Sequence, residues 1–382
     1  MQLQKKIIQA KAKNLGFSFV GFSPVKQTPH FKEYEKWVKD GMAGNMHYLA
    51  KSHIIENRRN PQLLLKEGQT VIVLGINYNL KDKIEIVHKS NYPGYVQIAA
   101  YAHHPDYHDN LKKKCGDLIT FLINLKNITK HTSKMFVDSA PVMEKDFAFQ
   151  AGLGSIGKNS LFLHPEFGSN CHLACIFTDL CIEPDDQRQD DFCGNCRLCI
   201  DACPTGAINN NRTIDARKCI SYLTIEHKGI IPEAYRKKMG NWVFGCDTCQ
   251  EVCPLNRDTH ENITKEKTKT IDLFIDGLTV ERLLRLNHHE YVNLFNKTPI
   301  RRTIYEQFLR NVIVAAGNSP RKVYEHILCE LLLNHPSSLV RAHAAWAAGH
   351  YDSLMSKQTL QKVYKTEQDG LVRFEIDRVL FK

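Results

Sequence analysis

No stretch of the 382-residue chain is both long and apolar enough to cross a bilayer, which excludes a helical membrane span. The N-terminus, MQLQKKIIQAKAKNLGF, has neither the apolar core nor the small-residue cleavage site of an export signal. Leu3, Ile7, Ile8, Ala12 and Leu15 recur there at helical spacing, so the segment reads as the first helix of a cytoplasmic protein. Acidic residues are in deficit: 41 Asp and Glu against 51 Lys and Arg leave a formal charge of +10. That balance favours a polyanionic partner, nucleic acid first and an anionic membrane surface second. No strongly amphipathic basic helix serves the membrane alternative. Hydrophobic residues make up 43% of the chain, enough for two or three ordinary cores.

Apolar periodicity is scarce in one place, residues 183–262, and this is where cysteine is abundant. Eight of the 13 cysteines lie between positions 193 and 253. Clustered cysteines in a chain without an export signal point to metal or catalysis, because disulfides do not persist in the cytosol. Ligation must replace much of the missing core. Upstream, residues 1–182 mix helices and strands. Leu111, Cys115, Leu118, Leu122 and Leu125 mark an amphipathic helix, VIVLGINY (71–78) a buried strand, and MFVD (135–138) a short strand ending in an acid. Downstream, residues 263–382 read as helical. Leu309-Arg310 recurs as Val340-Arg341 and Val372-Arg373, and Ala315-Ala316-Gly317 as Ala347-Ala348-Gly349. The offsets, 309 to 340, 340 to 372 and 315 to 347, suggest paired-helix repeats of the HEAT kind, with a plain bundle as the alternative. The expected fold class is α+β: an α/β N-terminal domain, a cysteine domain at 183–262 and an all-α domain at 263–382.

The first cysteine run, Cys193-x2-Cys196-x2-Cys199-x3-Cys203-Pro204, is the bacterial ferredoxin spacing. The second, Cys246-x2-Cys249-x3-Cys253-Pro254, is the same run without its first cysteine. Three close thiolates hold one cubane and the fourth crosses to the other. Cys193, Cys196, Cys199 and Cys253 are therefore expected on one [4Fe–4S] cluster, and Cys203, Cys246 and Cys249 on a second. Cys219 is the best candidate for the vacancy and Cys181 the next. A zinc ribbon, built of separated pairs, has no use for the third cysteine or for the repeated Cys-Pro. Cys115, Cys171, Cys175, Cys181 and Cys329 read mostly as core fillers.

Gly152-x-Gly154-x-x-Gly157-Lys158-Asn159 superficially fits two phosphate motifs. A helix-like EKDFAFQA precedes it where a dinucleotide fingerprint needs a strand, and Asn159 replaces the hydroxyl a P-loop needs. It reads better as a loop whose N–H groups grip a bulky cofactor, or as a tight connection without a ligand. Asp138, at a strand end near this loop, is placed to donate a proton, although a lone Asp before a turn is more often a turn residue. The histidines of YAHHPDYHD (101–109), His103, His104 and His108, lack the spacing of one helix or strand face, which argues against a dedicated metal site.

Together these motifs resemble the epoxyqueuosine reductase family over nearly the whole length. The resemblance rests on NLGFSFVGFSP (14–24), YAHHPDYHD, VDSAPVMEKDFAFQAGLGSIGKN (137–159), the split ferredoxin run, SYLTIEH (221–227), WVFGCDTCQEVCP (242–254) and the repeated helices. It implies a cobalamin-binding N-terminal domain similar to that of reductive dehalogenases. Electrons would pass through two [4Fe–4S] clusters to cobalamin, which would attack the epoxide of epoxyqueuosine at the wobble position of tRNA, with Asp138 as proton donor. It further implies cofactor contacts at Arg58, Lys158, Asn159, Ser160, Ser221 and Asp247. An external electron donor is required, and nothing calls for more than a monomer. His227, Lys228, Arg236, Lys237 and Lys238, with Arg310, Arg341 and Arg373, are candidate phosphate contacts. His103-His104 departs from the Arg-Gly pair more usual in the family. The competing readings are a small-molecule corrinoid reductase of the reductive-dehalogenase type and a two-cluster electron carrier.

Overall fold

The computed structural model describes residues 2–78, 94–124, 132–186, 191–256 and 278–381. The chain forms two compact units: residues 1–80, 106–216 and 248–268 make the first, and 81–105, 217–247 and 269–382 the second. The cysteine stretch is shared between them. This follows from its composition, since a segment poor in apolar residues has no core of its own to fold around.

The first unit is built on a four-stranded sheet, ordered β1 (Phe19–Pro24), β2 (Thr70–Asn77), β4 (Cys171–Thr178) and β3 (Ser133–Phe136), with every pairing antiparallel. The helix-and-strand content agrees with the expectation, but the pairing corrects the α/β part of it, since parallel strands and crossover helices define that class. Both faces are nonetheless covered. Ile72, Leu74, Ala174 and Ile176 pack with Ile8 and Ala12 of α1 (Gln2–Asn14) and with Leu111, Cys115, Leu118 and Leu122 of α2 (Tyr107–Asn124). Val71, Val73, Cys175 and Phe177 face the other way, against Phe147 and Ala148 of α3 (Glu144–Gln150) and against Phe162 and Phe167. Burial on both faces explains why β2 reads as an unbroken apolar run rather than an alternating one. The side chains of Leu3 and Leu125 and the 262/263 boundary lie outside the described residues.

In the second unit, α4 (Tyr305–Asn318), α5 (Lys322–Asn334), α6 (Ser338–Ala348), α7 (Leu354–Thr366) and α8 (Gly370–Leu380) follow one another, with α4 packed on α6 and α6 on α8. The sequence repeat has a packing cause. A Cβ on Gly317 would collide with the Trp346 ring of α6, and one on Gly349 with Val379 of α8. Each Ala-Ala-Gly therefore marks the close approach of one helix to the next but one.

Candidate functional site

β3 ends at Phe136, and the chain leaves it through Val137, which is buried, and Asp138, whose φ is +54°. That left-handed conformation is uncommon for a residue with a side chain and best tolerated by Asn and Asp. It turns the carboxylate toward the first turn of α2. There the Tyr107 hydroxyl donates to Asp138 Oδ2 at 3.1 Å, and His108 Nε2 lies 3.3 Å from the same oxygen. The other ring nitrogen of His108 is 2.7 Å from Oδ1 of the buried Asp106. The two carboxylates hold the imidazole in its charged form: the hydrogen bonds it donates to Asp106 first and Asp138 second push it up to about 9, against burial. The Tyr107 ring is held between His108 and His172, with centroids 4.2 and 3.9 Å away.

Close by, the Glu144 carboxyl at the start of α3 is pushed up to about 7, chiefly by burial, with the Asp138 charge adding to it. Its Oε1 has no hydrogen-bond partner among the described residues. The same is true of Arg58 Nε, of both amide atoms of Gln150 and of Ser155 Oγ. Buried polar atoms in folded proteins are nearly always paired, so a group of orphans along α3 and its flanks suits a ligand rich in amides and other polar groups. The Arg58 guanidinium otherwise rests 4.5 Å over the Tyr34 ring.

The glycine loop is a tight connection that also grips something. A Cβ on Gly154 would strike the Leu163 carbonyl and the Phe162 ring, so the loop closes on its own hairpin, Ser155–Ile156 with Phe162–Leu163. The Lys158 N–H donates to Cys193 Sγ at 3.4 Å, and its ammonium donates to the carbonyls of Gly194 and Cys196 at 2.7 and 2.8 Å. Lys158, expected at a cofactor's periphery, is thus engaged with the first cysteine loop. Asn159 is buried, and its side-chain oxygen accepts from the Leu161 N–H. Ser160 has φ +60° and its carbonyl accepts from the Lys145 ammonium.

Cys193, Cys196, Cys199 and Cys253 all lie in the first unit and face one another: the Cys199 thiol is raised by burial and then by charge at Cys193, Cys253 and Cys196. The short helices that carry the two runs, Leu198–Ala202 and Thr248–Glu251, pack together. Four thiolates so placed repel unless a cationic group joins them. Among the described residues no three His, Cys, Asp or Glu groups converge as a single-ion site. A cubane, with one iron per thiolate, spreads its ligands wider than one ion does, so this donor set fits it. Of the second expected set, Cys203 and Cys249 belong to the first unit, and Cys219 and Cys246 to the second. In that second unit Asp247 is buried with Oδ2 accepting from the Ala100 N–H at 2.7 Å, and the Ser221 carbonyl accepts from Thr224.

The expected phosphate contacts divide sharply. Lys228, Lys237 and Lys238 are exposed. Arg236 is 1% exposed and pairs with Glu375 through both terminal nitrogens, and Arg310 is 0% exposed and donates to the carbonyls of Leu223, His227 and Gly229. Arg341 grips Glu367. Arg373 donates to the Glu367 carbonyl. The once-per-repeat arginine tethers helices and loops; periodicity alone did not distinguish that from a surface stripe. What sequence reading missed was the partnership of Asp106, Tyr107 and His108 with Asp138. Its signal was the Asp-x-His spacing inside a segment scanned only for metal ligands.

A redox protein with an iron–sulfur site is the class these features define. Residues 192–256 match the family described as 4Fe-4S double cluster binding domain, and residues 58–139 match that described as Epoxyqueuosine reductase QueG, DUF1730. An epoxyqueuosine reductase from Pseudomonas aeruginosa is 36% identical over 88% of this chain and 91% of its own length. One from Xanthomonas campestris is 34% identical over 90% and 95%. The chain belongs to the epoxyqueuosine reductase family and is an oxidoreductase. Among solved structures, an epoxyqueuosine reductase with an epoxyqueuosine-modified tRNA-Tyr stem loop superposes with TM-score 0.87 at 28% identity, covering 100% of this chain and 98% of that one. Another, from Bacillus subtilis, is described with its catalytic aspartate loop swung out of the active site; it gives TM-score 0.88 at 27% identity, covering 100% and 99%. No described helix is long and apolar enough to cross a membrane.

Proposed function

We propose that this protein reduces epoxyqueuosine to queuosine at the wobble position of tRNA, with Asp138 donating a proton to the epoxide oxygen. The observation that carries this is the Asp138 carboxyl, held in a left-handed turn by Tyr107 and His108. A relative solved with modified tRNA supports the substrate, and another described by its catalytic aspartate loop supports the residue. When bound, two [4Fe–4S] clusters supply a one-electron relay and cobalamin supplies a reducible, nucleophilic cobalt. Cys193, Cys196, Cys199 and Cys253 would hold one cluster, and Cys203, Cys219, Cys246 and Cys249 are the candidate ligands of the other.

Arg58, Glu144, Gln150 and Ser155 would offer the cobalamin polar atoms that have no partner among the described residues, and Asn159, Ser160, Ser221 and Asp247 are further candidate contacts. Lys158 steadies the first cluster loop. The N-terminal region is taken as the cobalamin domain, related to that of reductive dehalogenases, and the C-terminal helix pairs as HEAT-like repeats, with the exposed Lys228, Lys237 and Lys238 as the basic residues for tRNA. Tyr107 and His108 hold the Asp138 carboxyl in place while its proton moves to the oxygen of the opening ring. The overall balance is epoxide plus two electrons and two protons, giving alkene and water, with an external donor supplying the electrons.

The test is to incubate the anaerobically reconstituted protein with cobalamin, a strong reductant and tRNA bearing epoxyqueuosine, then to analyse the nucleosides. Queuosine that forms only with cobalamin is the expected result. No conversion, with clusters intact and cobalamin bound, overturns the reading in favour of a small-molecule corrinoid reductase.

A further inference from the structure

Reduction of an epoxide to an alkene makes a demand that one carboxyl does not meet alone. Both C–O bonds break and the oxygen leaves as water, so a single oxygen atom takes up two protons in each turnover. The first is needed when the ring opens and the second when the hydroxyl departs. Asp138 carries one proton at a time. Under the function proposed above, on which this inference rests, it must be recharged within the cycle.

The groups around Asp138 are arranged for that. Oδ2 meets the Tyr107 hydroxyl at 3.1 Å and His108 Nε2 at 3.3 Å. Tyrosine gives up a proton only at high pH, so the imidazole is the competent source of the two. Asp106, buried just before α2, faces His108 Nδ1 at 2.7 Å and also accepts the His108 backbone N–H at 3.0 Å. That double contact fixes the ring so that Nε2 points at Asp138. Other titratable neighbours include His172 of β4, stacked on Tyr107, and Glu144 and Lys145 of α3, each coupled by charge to Asp138. The His108 side chain is 20% exposed and Asp138 47%, which leaves a route for water.

We propose that His108 is the proton reservoir of Asp138, and that Asp106 keeps it charged. Asp138 passes its proton to the substrate oxygen and is left as a carboxylate. The Nε2 proton of His108 then moves to Asp138. The neutral imidazole keeps its Nδ1–H toward Asp106 and takes a new proton at Nε2 from solvent. No electrons move in these steps; they come from the external donor. His108 thus acts through Asp138, and Asp106 is a positioning residue.

The state that follows the first donation agrees: with Asp138 ionised, the two carboxylates hold His108 up to about 9, so the imidazole is charged throughout the neutral range and has a proton to hand on. Two measurements test the relay. In the first, histidine ring resonances of isotopically labelled protein, without cobalamin or tRNA, are titrated for wild type, His108→Gln and Asp106→Asn. A resonance titrating near pH 9 is expected in wild type, absent in His108→Gln and moved toward roughly 6.5 in Asp106→Asn. In the second, turnover of epoxyqueuosine tRNA is followed against pH. Wild type is expected to hold its rate to about pH 9 and then fall. Asp106→Asn should fall at the lower pH its own titration gives, and His108→Gln should lose roughly 10²-fold.

The relay is overturned if His108→Gln matches wild type in rate and pH profile. It is equally overturned if Asp106→Asn moves the titration and leaves the rate profile in place. An inactive Asp138→Ala beside an unimpaired His108→Gln would sink the relay alone. A fully active Asp138→Ala would sink the donor assignment itself.

Discussion

The two units bury polar groups in opposite ways. In the second, Arg236, Arg310 and His343 lose nearly all contact with water, and each finds protein partners: a carboxylate, three carbonyls, and for His343 the Leu339 carbonyl and the Ile231 N–H. In the first, Arg58 Nε, Glu144 Oε1, Gln150 and Ser155 Oγ also lose water but find no partner among the described residues. A satisfied buried charge fixes a packing arrangement, whereas an unsatisfied buried polar atom costs about 1–3 kcal/mol until something binds it. The buried charges of the helices are satisfied by protein, and the sheet-based unit carries buried polar atoms that a ligand would complete.

The contrast between the units is sharpest at Arg236 and Glu375. Glu375→Ala leaves a buried guanidinium without its carboxylate and should cost about 3–5 kcal/mol in urea unfolding. A loss below 1 kcal/mol would show that water reaches the pair. At Arg58 the opposite profile is expected. Arg58→Met removes a guanidinium whose Nε has no partner among the described residues and which otherwise rests on the Tyr34 ring, so stability should fall by no more than about 1 kcal/mol, while cobalamin affinity, read from its absorption change, should drop about tenfold, or ~1.4 kcal/mol. Unfolding that becomes markedly easier without loss of affinity would assign Arg58 to structure.

A third test uses pH. Burial, followed by the charges of Arg236 and Arg310, holds the His343 imidazole well below its ordinary value. The unfolded chain therefore binds a proton that the folded one refuses. The stabilisation is present above about pH 6.5 and is lost as pH falls below it, at up to ~1.4 kcal/mol per pH unit. His343→Gln should flatten that slope, and an unchanged slope would remove His343 as its cause. The smallest effect is expected on the surface. Lys237→Ala and Lys238→Ala should each reduce the salt dependence of tRNA binding by about one unit of slope. Conservative replacement of Arg341, tied to Glu367, should leave the slope as it is.

Much of this was legible in the sequence. The ferredoxin spacing assigned the four thiols that the first unit brings together, because a cubane dictates local spacing. The apolar run at 70–77 and the helix at 107–124 follow from periodicity, which local geometry fixes. Antiparallel pairing was not legible, because a strand buried on both faces reads the same whichever way its neighbours run. Nor was the destination of the repeated arginines, since a charge every 31 or 32 residues (310 to 341, 341 to 373) looks alike on a surface and against buried carbonyls. The partners of Lys158 were not legible for a related reason: a glycine loop announces that backbone will approach something closely, but not what. Asp138 could be singled out as an acid at a strand end. Its partners needed the fold, which brings α2 across 30 residues of sequence to the end of β3.

Proton delivery to the epoxide rests on the Asp138 carboxyl. The direct measurement is conversion of epoxyqueuosine to queuosine by Asp138→Ala, with cobalamin, clusters and tRNA affinity verified in the same preparation. We expect binding to persist and conversion to fall by about 10²–10⁴-fold, the share a general acid contributes. Conversion at the wild-type rate would contradict the account and leave the left-handed turn at Asp138 as a feature of the fold alone.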